Sequence, residues 1–562
     1  MPKKLIVMLM LLGLAIPVFA QESKKAAKPE AKTPKTKPEA KKPDDKKGKE
    51  IDGFDDTDIP GPDEIGNINI GRKKVRQFSP RLKKAFAMMK EMHKFFKAKD
   101  YKKAREIALK LVKIMPESGS NWYNLACAES RLGKHKEALK NLKISIERGY
   151  DGMLHMERDE DLKALHKYEG FKKLLARRDE IHRGRAEKIL KVLKRKYGSD
   201  YLIEIDHERK LIFATNVDRD TLERLKQELT KQTKAMWSGD LFDNKFEKYI
   251  TVIVPKPNSV KALKNIGGFY RPDKYMLVAR SIGYVMRHEF THALHFADIA
   301  LRGQRHPIWV LEGMATLYES SEYNKEGKLI PGKSMRLYTL KRYQKAGKLF
   351  PIKEFLKMDH RTFMDRKKVG LAYAQSRYFM KFIYDQGKLK QWYDAYCKNH
   401  KQDKTGQKAI EQVFGVTIEE FEKQWHAYIK KEKLPPMGPK ANQPYLGIGS
   451  KPTVDGLEIL RVVKGSGAFK AGLKKGDVMV GIDGKRIIDR SDLLKITRAA
   501  KVNQVLKIRI RRDGKYIVVP VKLTPKPASA DGMVPRRPRL PRRKSRRQRK
   551  TRNGRIVPKR VG

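Results

Sequence analysis

His288 and His292 stand four residues apart with Glu289 beside the first, and Glu312 follows twenty residues after the second. On an α-helix, positions i and i+4 lie on one face, so both imidazoles reach one cation if Arg287–His295 is helical. Glu289 then projects beside the metal without ligating it, placed to take a proton from a bound water and pass it to a leaving amine. For Glu312 to join the histidines, the first helix must end and the chain must turn back through Arg302–Pro307. A second helix must then carry Trp309-Val310-Leu311-Glu312-Gly313-Met314-Ala315. Two histidines and one glutamate leave a fourth zinc position open, as a catalytic centre needs and a structural one does not.

The flanking sequence fits that demand. Tyr201–Ile205, Leu211–Thr215 and Tyr249–Val254 read as strands, and Thr221–Met236 as an amphipathic helix. Tyr275–Ala279 is one more strand, expected at the sheet edge, where it could pair with an extended peptide. From Ile282 to about Lys433 the pattern is helical, and Ala409–Gly415, Phe421 and Trp425 read as closing core. Strands followed by helices predict an α+β domain over 200–433.

The paired motif resembles the gluzincin zinc metallopeptidases, and in particular their bacterial branch with Trp-Leu-x-Glu-Gly-x-Ala. The resemblance covers about residues 200–430. It implies a zincin-like fold, Zn2+ held by His288, His292 and Glu312, and Glu289 as the catalytic acid–base. Gluzincins usually add a Tyr or His that donates to the oxyanion. Tyr373, in Leu371-Ala372-Tyr373-Ala374-Gln375-Ser376, resembles a Tyr-Ala-Gln-Ser segment of this branch, and reads equally well as a core tyrosine. Asp298 has the spacing of a metzincin third ligand, but those families need glycine where this chain has His295. His295, one turn beyond His292, can face the site or pack, and His306 is expected in the loop before Pro307.

The rest of the chain is modular. Ala104 and Ala138 lie 34 residues apart, Pro116 closes a unit, and Trp122, Leu125, Ala126 and Gly133 follow tetratricopeptide spacing. The stretch resembles two TPR repeats within a helical region over 79–178, capped by helices near Leu162–Leu175 and followed by another basic helix at 180–198. At the other end, Tyr445-Leu446-Gly447-Ile448, then Gly467-Ala468-x2-Ala471-Gly472-Leu473-x2-Gly476-Asp477-Val478 and Ile482-Asp483-Gly484-Lys485, resemble PDZ domains of secreted bacterial proteases over 445–523. That resemblance implies a peptide C-terminus cradled by the backbone of Tyr445, Leu446, Gly447 and Ile448, beside a helix near Ser491–Ala500. Gly467 departs from the proline common there.

The ends carry no core. Lys3 and Lys4 precede an apolar run, Leu5–Ala15, and Val18-Phe19-Ala20, the pattern of a signal peptide over 1–20. A Lys/Pro-rich linker follows over 21–78. A tail over 524–562, arginine-rich from Arg536, is expected to be disordered. Two cysteines make no disulfide framework, and Cys127 sits on an apolar helix face. The net charge of +62 implies attraction to polyanions such as acidic envelope polymers or lipid headgroups. The tail lacks the interleaved aromatics of a nucleic-acid reader. The expectation is a multidomain protein with a helical region, an α+β peptidase domain and a β-rich PDZ domain, secreted or periplasmic. The alternative is a non-enzymatic envelope scaffold with a degenerate peptidase fold.

Overall fold

A computed structural model of the chain describes residues 80–237, 241–256, 267–436 and 438–527. The expected signal peptide, the linker and the arginine-rich tail from Arg536 lie outside them. The chain divides into two compact units: the first runs to Pro435 and also takes in Pro452–Leu457 and Ile487–Ser491, and the second holds the other residues from Pro436 onward.

The first unit opens with the successive helices Pro80–Lys97, Tyr101–Ile114, Gly119–Arg131 and His135–Glu147. Ala104, Ala108, Ala126, Ala128 and Ala138 are fully buried between them, so small side chains set the helix separation. Gly119 permits the tightest approach: a Cβ there would lie 2.6 Å from the Ser145 carbonyl oxygen. Glu129, buried in the stack, accepts from Arg105 Nε at 3.1 Å and Asn141 Nδ2 at 2.6 Å, which offsets the cost of its desolvation. Leu162, Leu165, Phe171 and Leu174 pack into the same core as Tyr123, Ala126 and Leu142 and close the stack. Both cysteines are free and buried.

Five strands follow, β1 (Leu202–Asp206), β2 (Leu211–Thr215), β3 (Ile250–Val254), β4 (Gly268–Arg271) and β5 (Met276–Ala279), in the sheet order β1-β2-β3-β5-β4. The three central strands are parallel and the outer two antiparallel to their neighbours. Every residue of β2, β3 and β5 is buried, which is why they read as unbroken apolar runs. Phe213, Val252 and Leu277 belong to one core with Leu225 and Phe290. Ile212, Ile253 and Val278 belong to another, with Leu193 and Tyr197 of the helix Arg178–Tyr197. That helix, legible in sequence only as a further basic segment, covers the sheet's second face.

One expectation is overturned. Tyr275–Ala279 is not at the edge, because β4 pairs along it and takes the edge itself. Four residues beginning with glycine have no period to detect, so β4 is silent in the sequence.

The helix Tyr284–Arg302 ends at Gly303, which adopts φ +62°. After a short turn, Pro307 opens the helix Ile308–Tyr318. The long helix Val369–Asp385 crosses it closely at Gly313, where a Cβ would meet Met380 Cγ at 2.8 Å and the Ser376 carbonyl oxygen at 3.2 Å. Trp309, Phe379, Trp392, Phe421 and Trp425 fill the core behind.

The second unit is β-rich. Strands Lys515–Lys522, Val505–Arg512, Val478–Ile482, Leu457–Val462 and Ile448–Pro452 lie side by side in that order, with a short helix Gly467–Lys470 and a longer one Arg490–Ala499. Gly467 has a local cause: a Cβ there would stand 2.1 Å from the Lys522 carbonyl oxygen. Arg512 holds the buried Asp477 through two bonds of 2.7 Å.

Lys248 Nζ donates to Asp151 Oδ1 at 2.6 Å, tying the strand side to the helical stack from a mostly buried position. Lys248→Met strands the carboxylate and is expected to destabilise the chain by about 2 kcal/mol. Adding Asp151→Leu should recover most of that in denaturant titration.

Candidate functional site

The helix Tyr284–Arg302 places His288 and His292 with ring centroids 4.9 Å apart. Glu312 enters from the helix Ile308–Tyr318, and its Oε2 lies 3.4 Å from His288 Nε2 and 3.6 Å from His292 Nε2. That oxygen is buried and has no hydrogen-bond partner among the described residues. A tetrahedral centre with bonds of about 2.0–2.1 Å spaces its ligand atoms by about 3.3–3.4 Å. The three side chains therefore fit one divalent cation, and the orphaned oxygen is the atom such a cation would satisfy.

His288, Glu289 and His292 also form a compact set, with one ligand atom each within 4.8 Å. Charge separates the two glutamates. Burial pushes Glu312 up, yet His292 and His288 hold it well below the ordinary carboxylate range. Burial raises Glu289 above its ordinary value despite both histidines. One carboxylate stays ionised, and the other is poised to hold a proton. Gly268 of β4 brings the edge strand against Glu289, for a Cβ there would stand 2.9 Å from Glu289 Cγ.

Tyr373 projects from the helix Val369–Asp385, with Phe363 at 5.3 Å and the Arg336 guanidinium 5.1 Å over its ring. Burial, then the charges of Glu312 and Glu289, raise its hydroxyl far above the ordinary value, so it stays a donor. Its sequence neighbours have other roles. Gln375 clamps Phe350 by accepting from its N–H at 3.1 Å and donating to its carbonyl at 2.8 Å. Arg377, fully buried, donates to the carbonyls of Leu317 and Gly332.

The rival ligands sit elsewhere. Asp298 accepts from Asn244, Arg302 and Tyr393. His295 stacks on Phe242 at 5.0 Å and meets His306 Nδ1 at 2.9 Å. His306, in the loop as its proline context implies, is nevertheless buried against that partner.

Two residues escape sequence reading. Glu319 Oε2 lies 3.3 Å from His288 Nδ1, and Arg336 grips the same carboxylate through Nε and Nη2 at 2.9 and 3.1 Å. Against the push of burial, His288 and Arg336 hold Glu319 at about 2. Glu319 follows Glu312 by seven residues, two helical turns, a spacing that could have flagged it. Arg336, distant in sequence, gives no such signal.

In the second unit, Gly447 adopts φ +85°, and a Cβ there would stand 2.1 Å from Ser466 Cβ. Its carbonyl accepts from Val463 N at 2.8 Å and that of Leu446 from Ala468 N at 3.0 Å, fixing the turn before the edge strand Ile448–Pro452.

In the metal-free chain, burial pushes the His288 imidazole down, but Glu312 and Glu319 raise it to about 10. A raised histidine stabilises the fold fully below its unfolded value near 6.5 and loses that contribution as pH climbs to about 10. An NMR titration of the chelated protein should find this ring still protonated at pH 8.

Residues 444–523 match the PDZ domain family. Over 82 residues the chain is 37% identical to the serine protease Do-like HtrA of Bacillus subtilis (strain 168), covering 14% of this chain and 18% of that protein. The chain thus spans less than a fifth of that relative's length. Among solved structures, the HtrA3 PDZ domain bound to a phage-derived ligand aligns at 18% identity and TM-score 0.13, over 14% of this chain and 85% of that one. An aminopeptidase N family protein from Idiomarina loihiensis aligns at 14% identity and TM-score 0.25, over 59% of this chain and 68% of that one. The likeness to serine proteases is confined to the PDZ residues and leaves the histidine–glutamate cluster outside it. The second unit is a PDZ domain.

Proposed function

We propose that this protein is a zinc-dependent endopeptidase of the gluzincin kind, acting outside the cytoplasm, with its PDZ domain holding peptide C-termini. The carrying observation is the unpartnered Glu312 Oε2 beside the Nε2 atoms of His288 and His292. Zinc held by these three side chains would acidify a water at its open position and polarise the scissile carbonyl. Glu289, buried and raised, takes a proton from water and delivers it to the departing nitrogen. Tyr373 donates its O–H toward the oxygen of the attacked carbonyl. Glu319 fixes the His288 ring through Nδ1, and Arg336 fixes Glu319. The outer edge of β4, beside Glu289, offers main-chain groups to an extended peptide, the role that the sequence alone assigns to Tyr275–Ala279. In the PDZ domain the turn at Tyr445, Leu446, Gly447 and Ile448 leads into an edge strand able to accept a peptide strand. The helical stack resembles TPR units and serves as a second peptide-holding surface or a spacer.

Purified protein should contain one zinc per chain and cleave unfolded polypeptides in a chelator-sensitive way. Glu289→Gln should keep the zinc and lose at least about 100-fold in kcat/KM. Glu312→Gln should lose the metal itself. Stoichiometric zinc with no cleavage by the unaltered chain, across varied peptides, would favour the scaffold reading. Tyr373→Phe should lower kcat by about 100-fold with little change in KM, and an unchanged kcat would remove Tyr373 from the mechanism.

A further inference from the structure

The PDZ sheet ends in a hairpin whose solvent face has an unusual chemistry. Strands Val505–Arg512 and Lys515–Lys522 are in register, so Val505 faces Lys522, Lys507 faces Pro520, Arg509 faces Val518 and Arg511 faces Tyr516. Each rung pairs one cation with one apolar or aromatic residue. Leu506, Ile508 and Ile510 point the other way and are buried, which fixes the first set outward. Val505, Tyr516 and Val518 are 53, 42 and 58% exposed. Neither strand contains an acidic residue. Arg509 lies 4.6 Å over the Tyr516 ring, so cation and aromatic already form one surface.

The hairpin's outer edge is poorly suited to strand addition. Leu523 N bonds Gln504 O and Asn503 N bonds Leu523 O, which turns the odd-numbered positions of the last strand inward and Pro520 outward. Pro520 has no N–H to give a partner strand. The broad face remains. A nucleic acid would use the cations and the ring, but Val505, Val518 and Pro520 give bases nothing to stack on. A bilayer surface uses all of them. Aliphatic and aromatic groups enter the headgroup boundary, while Lys and Arg extend along it to lipid phosphates.

We infer that the exposed face of the hairpin Val505–Lys522 docks on an anionic lipid surface, with Val518 and Tyr516 entering the interface and Lys507, Arg509 and Arg511 meeting headgroup phosphates. This inference is independent of the zinc site.

Both native cysteines are buried, so Val518→Cys in the full chain can be labelled selectively with an environment-sensitive NBD fluorophore. Vesicles of phosphatidylcholine with phosphatidylglycerol should raise and blue-shift its emission, and the change should weaken as salt is raised. Phosphatidylcholine alone should leave it unchanged. Each surface cation is worth about five-fold in partitioning, so Lys507→Gln with Arg509→Gln should lower binding to anionic vesicles about thirty-fold. Circular dichroism and thermal unfolding would establish that both variants fold. Sedimentation with vesicles and a silent fluorophore would mean that another basic surface binds, and would overturn the inference. A response to a single-stranded oligonucleotide but not to vesicles would overturn it in favour of nucleic acid.

Discussion

Glu312 is a carboxylate buried without a hydrogen on one oxygen, and two imidazoles face that oxygen. Burying an ionised carboxylate is costly unless a positive partner stands in reach. The first unit is arranged around meeting that requirement. Glu312 reaches the histidines only because two helices reverse at Gly303 and Pro307, and because a third packs hard against the second. Gly313 is the contact point. Its missing Cβ lets Ser376 and Met380 approach, which carries Tyr373, on the same helix, into the electrostatic reach of Glu312 and Glu289. Arg377 then pins that helix to the end of the glutamate-bearing one through Leu317.

The charges form graded layers. Arg336 holds Glu319, Glu319 holds His288, and His288 holds Glu312. In the metal-free chain signs alternate along these contacts, so each group is stabilised by the next. Glu289 is outside this chain, and burial is the largest influence on it. Its carboxyl is accordingly held above its ordinary value, whereas Glu312 and Glu319 are held below theirs.

Much of this was legible because helices announce themselves. The i, i+4 histidines, the apolar runs of β2, β3 and β5, and the glycine-rich PDZ turns each follow a local rule. What stayed hidden depended on pairing between distant segments. β4 has four residues and no alternation, so nothing in its sequence reveals that it takes the edge from β5. Arg336 meets Glu319 only after a two-strand excursion, Ser321–Tyr323 and Leu329–Pro331, returns the chain. His295 reads in the sequence as either facing the site or packing, and His306 as a loop residue; the fold pairs them in a separate buried cluster with Phe242 and Tyr393. Residue type alone could not separate an imidazole facing a buried carboxylate from one packed against a ring.

The extreme basic charge gains meaning only when it is located. Arg512 is spent on Asp477, and Lys248 on Asp151, so part of the excess is structural. Lys507 and Arg509 have a different setting: they alternate with exposed valine and proline on one flat face and have no acidic residue within their strands. A solvated sheet face normally mixes signs, because like charges opposite one another repel across the ladder. Here Lys507 and Arg509 face Pro520 and Val518 across the ladder, which keeps these cations from direct opposition to like charge while leaving Val518 in water. That arrangement has little value to an isolated domain. Its value appears when a surface both negative and apolar at its boundary comes into contact with it.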